Sequence, residues 1–176
     1  ADKLEASVKD LEIASGTVRI AGTDRAMSFA AIAALPKATA DLLTTQESWT
    51  PPEATYPNGT HVCEVEIDPD TGRTSVETYV VIDDFGVTLN PLMLAGQVHG
   101  GIVQGVGQAL LEETVYSPDG QLITASFMDY CMPRALDMPD IHFETRNIPC
   151  KTNVLGVKGA GEAGAIGSCP AVMNAV

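Results

Sequence analysis

The stretch that decides the fold is GQVHGGIVQGVGQALLEE, residues 96–113. At about 100° per residue, Val98, Ile102, Val106, Ala109 and Leu110 merge into one apolar stripe, which predicts an amphipathic helix. Gln97, Gly101, Gln104 and Gln108 line up on another side, flanked by Gly100 and Gly105. Each glutamine carries donors and an acceptor suited to the edge of a fused heterocycle, and bare backbone lets a flat or phosphorylated ligand come close. Glycine inside a helix costs ~1 kcal/mol relative to alanine, so Gly100, Gly101, Gly105 and Gly107 together require a reason. Two remain open on spacing alone: close approach of a ligand, or tight packing of helix on helix with the glutamines facing solvent.

Downstream, NVLGVKGAGEAGAIGS (residues 153–168) places Lys158, Gly159, Gly161, Glu162 and Gly164 between an expected strand and an expected helix. Gly159, Gly161 and Gly164 formally match the dinucleotide pattern G-x-G-x-x-G. Glu162 would stand where a pyrophosphate approaches, and no βαβ unit surrounds it, so that reading is rejected. A carboxylate among small residues leaves room for a reactant, which makes Glu162 a candidate general base. The competing reading is a surface glutamate in a turn. Residues 169–176 read as a helix capped by Ser168, with Pro170 in its first turn. No stop signal follows, so the expectation is one partial domain over residues 1–176, excised from something longer.

Upstream, residues 61–67 alternate, with Cys63, Val65 and Ile67 on one face and Glu64 and Glu66 on the other. Asp68-Pro-Asp-Thr-Gly72 is a turn signal, and residues 74–82 return as a second strand. Residues 11–13 and 17–20 read as a short hairpin around Gly16, the residues before Lys9 as the end of a helix, and Ser28 as the cap of a helix stopping before Pro36. Residues 37–58, with Pro51, Pro52 and Pro57, read as a long connection. Further strands are expected at 121–127, 140–145 and 153–157. This mixture predicts an α+β fold of mixed strands and helices. Asp84-Phe85-Gly86 has the letters of a kinase signature without its companions, so Asp83 and Asp84 are read as ending a strand and beginning a turn.

The formal charge of -13 repels phosphate backbones and anionic lipid surfaces, which argues against nucleic acid and membrane as partners. No apolar run reaches the roughly 18 residues of a membrane span, and the first residues lack a signal-peptide pattern, so a cytoplasmic location is expected. Cys63, Cys131, Cys150 and Cys169 form no C-x-x-C pair and are read as free thiols. His61, His99 and His142 show no metal-binding spacing, so no protein-ligated metal is expected.

Taken in order, YPNGTHVCEVEIDPDTG, VIDDFGVTLNP, AGQVHGGIVQGVGQALLEE and GVKGAGEAGAIGS resemble the C-terminal molybdopterin-binding part of the molybdenum hydroxylase large subunits, of the xanthine dehydrogenase, aldehyde oxidase and carbon monoxide dehydrogenase type. The resemblance implies oxidative hydroxylation of an aldehyde, purine or similar small molecule with oxygen from water. It makes Glu162 similar to the catalytic base of that family, and Gln97 similar to a glutamine that hydrogen-bonds the pterin. Gly100, Gly101 and Gln104 are assigned to cofactor contact because they share the face of Gln97, and Lys158, Gly159 and Gly161 to lining the cofactor cavity and positioning the base. Molybdenum would be held by the pterin dithiolene. Iron-sulfur and FAD centres would lie on other domains or subunits, making the rest of the large subunit and those subunits the expected partners. The fragment alone is expected to bind none of these cofactors and to be inactive. The alternative is a non-catalytic module whose glycine-rich helix packs on a partner chain.

Overall fold

In the computed structural model, residues 1–35 and 44–176 are described. They divide into two compact units, Ala1–Thr50 and Pro51–Val176.

In the first unit, 3-10 turns at Asp2–Leu4 and Val8–Asp10 stand where the end of a helix was expected. The expected hairpin is present as β1 (Leu11–Ala14) and β2 (Thr17–Ile20), reversed through Ser15 and Gly16, both at positive φ (48° and 73°). Two successive residues of that hand match the twist of the strands they join. A third strand, β3 (Ala26–Ser28), pairs antiparallel with β2. It has only three residues and no alternation to announce it. Ser28 then caps α1 (Phe29–Ala33), its hydroxyl accepting the Ala31 amide at 3.1 Å. Of the expected long connection, residues 37–43 lie outside the described residues, and 44–57 carry neither helix nor strand.

The second unit is built on β4 (Asn58–Ile67) and β5 (Thr74–Asp84), an antiparallel pair with a bulge at Glu64/Val65. Asp68 closes their turn by accepting the amides of Asp70 and Thr71. β6 (Ile141–Thr145) adds to β5 in parallel. Two helices, α2 (Pro91–Leu110) and α3 (Ala163–Ala175), cover one face of this sheet. Between the layers lie Val76, Tyr79, Val81, Phe85, Val98, Ile102, Val106 and Val172, with Cys63, Val65, Ala109 and Leu110 packed around them. Each fully buried large apolar side chain contributes about 1.5–3 kcal/mol.

α2 carries the apolar stripe read from the sequence but begins at Pro91, with Asn90 Oδ1 accepting the Met93 amide at 3.1 Å. An Asn cap followed by Pro in the first turn is a sufficient local start signal. Two expected strands are absent. Residues 121–127 contribute only the Tyr116↔Leu122 bridge, and residues 153–157 only the Gly86↔Val157 bridge. Their backbone groups are taken by turns, Asn153 alone bonding both the amide and the carbonyl of Val157.

The last helix also departs from expectation. It starts at Ala163 with Glu162 as N-cap, whereas Ser168 is buried in its middle and bonds the Ala165 carbonyl at 3.3 Å. Pro170 therefore lies inside the helix. A helix tolerates this where the deprived carbonyl can turn to water, and Ile166, four residues back, is 71% exposed.

α3 runs parallel to α2 in close contact. A Cβ on Gly101 would meet the Ala165 amide nitrogen at 2.9 Å, one on Gly105 the Cys169 nitrogen at 3.0 Å, and one on Gly164 the Ile102 nitrogen at 2.8 Å. These obstacles are backbone atoms of rigid helices. Gly164→Ala is expected to lower stability by about 1–3 kcal/mol, despite the ~1 kcal/mol that alanine gains in helix propensity. Gly100→Ala faces open space and gains that propensity unopposed. Denaturant midpoints of the two variants should move in opposite directions.

Candidate functional site

The loop that delivers Glu162 follows β6 and is anchored where β5 ends. Gly86, at φ 66°, turns the chain so closely against residue 156 that any side chain there would strike the Gly156 carbonyl. Backbone bonds then sew the two segments together: Val87 N to Gly156 O at 2.8 Å, Lys158 N to Phe85 O at 2.9 Å, and Cys150 N to Gly156 O at 2.9 Å. Gly159 N reaches Thr55 Oγ1 at 3.2 Å.

Asp84 is the hub of this junction. Its Oδ1 accepts the amides of Gly86 at 2.8 Å and Ile148 at 3.0 Å, and its Oδ2 takes Lys158 Nζ at 2.6 Å. Side-chain exposure is 13% for Lys158 and 7% for Asp84, so the pair is largely withdrawn from water. Burial by itself would raise the Asp84 carboxyl, but the Ile148 amide, the Lys158 ammonium and the Gly86 amide outweigh it and hold it at about 2. A carboxyl depressed in the folded state adds stability above its unfolded value of about 3.9, and that increment disappears as pH falls toward 2. The thermal midpoint should drop across this window, and less steeply in Asp84→Asn.

Lys158 is therefore held by a partner within the chain. Its ammonium is committed to Asp84 and braces the loop. No local signal announces this, because the partner lies 74 residues upstream at what reads as a plain strand end.

Glu162 is exposed and its side chain makes no cap bond to α3. Gly159 and Gly161 are exposed as well, and no neighbour occupies the Cβ position at Gly161. On α2, Gln97, Gly100 and Gln104 are exposed, with open space at Gly100 and Gly96. Gly101, expected to contact cofactor, faces Gly164 and Ala165, so its missing side chain serves helix packing. The glycines thus divide by position: Gly101 and Gly105 admit α3, whereas Gly96 and Gly100 leave bare backbone.

The step of four residues on α2 matches four on α3, Gly101 against Gly164–Ala165 and Gly105 against Ser168–Cys169. Followed back by the same step, Glu162 comes level with the turn containing Gln97 and Val98. The exposed Gln97 amide, the bare backbone of Gly96 and Gly100 and the accessible Glu162 carboxylate thus lie near one level along the helix pair. Among the described residues, no group of three or more His, Cys, Asp or Glu could hold a metal ion. No described helix is long and apolar enough to cross a membrane.

A second polar cluster escaped sequence reading. His61 Nδ1 lies 2.8 Å from the Tyr79 hydroxyl, and His61 Nε2 lies 3.7 Å from Asp83 Oδ1. Burial, followed by the nearby Cys63 and Asp83, pushes the Tyr79 phenol well above its ordinary range. The strand alternation extends to His61, but nothing local couples it to Asp83.

The molybdopterin cofactor-binding domain model matches residues 1–139. The chain is 37% identical, over 99% of its length, to the 6-hydroxypseudooxynicotine dehydrogenase complex subunit gamma of Paenarthrobacter nicotinovorans, covering 23% of that protein. It is 36% identical, over 72% of its length, to the carbon monoxide dehydrogenase large chain of Afipia carboxidovorans, covering 16% of that protein. Among solved structures, quinoline 2-oxidoreductase from Pseudomonas putida 86 aligns over 97% of the chain and 23% of its own, with TM-score 0.81 and 36% identity. An α+β unit with this topology is thus the architecture of a molybdenum-cofactor domain. The chain belongs to the molybdopterin cofactor-binding domain family, and it spans less than a quarter of the length of these relatives.

Proposed function

We propose that the chain is the C-terminal part of the molybdopterin-binding region in the large subunit of a molybdenum hydroxylase, with residues 1–176 as one partial domain of it. The whole subunit would hydroxylate an aldehyde, purine or similar small molecule, with Glu162 as general base. Iron-sulfur and flavin centres on other domains or subunits would carry the electrons away. The observation that carries this reading is the parallel register of α2 and α3, by which the N-cap of α3 comes level with the turn of α2 that carries Gln97.

The residues present fit a share of the cofactor site. Gln97 and Gln104 offer amide donors and acceptors to the edge of a pterin, and Gly100, Gly159 and Gly161 leave backbone that a ligand can approach. When bound, the cofactor supplies the metal and the two-electron redox chemistry. This chain's own part is to present the Glu162 carboxylate, which takes a proton from the oxygen nucleophile as it attacks substrate carbon. Lys158, braced by Asp84, and the glycine contacts of α3 hold that carboxylate in place.

The test is Glu162→Gln in the parent-length subunit, with turnover and cofactor content measured together. Loss of turnover at full cofactor content supports the base; unaltered turnover removes it. For the alternative, a module whose glycine helix packs on another chain, only Gly96 and Gly100 remain open, because Gly101 and Gly105 face α3 of the same chain.

A further inference from the structure

Between Lys158 and the first turn of α3, the segment that carries Glu162 is held by a single hydrogen bond. Lys158 N donates to Phe85 O at 2.9 Å, and the Ile166 amide closes the first turn of the helix on the Glu162 carbonyl at 3.1 Å. Among the described residues, no hydrogen bond reaches the backbone of Ala160 or Gly161. Ala160 packs against the edge of the core, a contact that sets no direction, and Gly161 faces open space. The one directed contact is the Gly159 amide, which donates to Thr55 Oγ1 at 3.2 Å across 104 residues of sequence.

Thr55 is well prepared to hold that bond. Pro51, Pro52 and Pro57 bracket it, each with φ fixed at about −65°, so the segment has little backbone freedom to lose. Branching at Cβ limits χ1 and with it the place of the hydroxyl. Just beyond, the Asn58 amide donates to the Tyr56 carbonyl at 3.4 Å, and Pro57 and Asn58 line a small cavity together with Ala163, Ile166 and Gly167. Residues 55–58 thus form a strap that touches the base-carrying loop at Gly159 and then runs along the start of α3.

We propose that Thr55 is a positioning residue for Glu162, its hydroxyl fixing the loop three residues ahead of the carboxylate. This step rests on the reading of Glu162 as general base. A carboxylate that takes a proton during reaction must lie within hydrogen-bond reach of it, so a loop that wanders lowers the rate of the chemical step. Thr55 lies outside the buried core, so its hydroxyl acts on the loop and not on the stability of the whole unit.

Two variants test it. Thr55→Val removes the acceptor at nearly the same shape, and Thr55→Ser keeps it. In the 176-residue chain, hydrogen exchange at the Gly159 amide should quicken roughly 2–10-fold in Thr55→Val, the factor one hydrogen bond is worth, and remain near the original rate in Thr55→Ser. No change in the valine variant, or equal quickening in both, would overturn the tether. In the parent-length subunit, Thr55→Val should lower kcat by a similar factor at unaltered KM and pterin content, Thr55→Ser should restore it, and Thr55→Val added to Glu162→Gln should cost nothing further. An unaltered kcat in Thr55→Val, equal losses in both variants, or a full extra loss on top of Glu162→Gln would overturn the positioning role. Exchange at Gly159 involves no turnover, and Glu162→Gln alone reads the base, so failure of the tether and failure of Glu162 as base are told apart.

Discussion

Glu162→Gln in the parent-length subunit is expected to lower kcat by roughly 10²–10⁴-fold, the range that positioned proton transfer supplies. The substitution keeps shape and removes only the ability to take a proton. Its interpretation is unusually clean here because Glu162 is exposed and makes no cap hydrogen bond, so α3 loses no partner. Pterin content, thermal midpoint and KM should therefore stay near those of the unmodified subunit. A variant that loses cofactor in proportion to activity would show Glu162 acting in binding rather than in chemistry.

Lys158→Met should be the most damaging change to stability. Methionine keeps most of the stem volume and deletes the ammonium, leaving the Asp84 carboxylate buried with only the Gly86 and Ile148 amides. Breaking a buried pair from one side costs about 3–5 kcal/mol, against a total of about 5–15 kcal/mol for an ordinary domain. Chemical denaturation should show a large fall in midpoint, partly restored by adding Asp84→Asn, which removes the orphaned charge. If Lys158→Met alone unfolds within ~1 kcal/mol of the original chain, the ion pair contributes nothing to the fold. In the parent-length subunit, the same variant should reduce turnover by misplacing the loop that ends at Glu162.

The two variants separate what was legible in the sequence from what was not. Glu162 stands out in the sequence because glycine crowding is a local signal and the surrounding motif resembles a known family. The brace beneath it does not, because Asp84 and Lys158 are joined by no period, spacing or shared element. The last helix was misplaced for a related reason. Residues 163–168, AGAIGS, include two glycines and a serine suited to a cap, and Pro170 is an ordinary first-turn residue, so local rules favour a start near 169. Contact with Gly101 and Gly105 of α2 overrides them and extends the helix back to Ala163. The missing strand at 153–157 is the same case, since Asn153 captures the backbone that a ladder would have used.

By itself, the sequence determined the α+β class, the β4/β5 hairpin, the apolar and amide faces of α2, and the family. All of these depend on residues within a few turns or a few strand positions of one another, where periodicity and turn chemistry act directly. Only the tertiary structure decided which glycines face a helix and which face solvent. It alone paired Lys158 with Asp84 and set His61 beside Tyr79 and Asp83. Those outcomes depend on which distant surfaces meet, and burial sets the strength of a charge or the need for a missing side chain only after they have met.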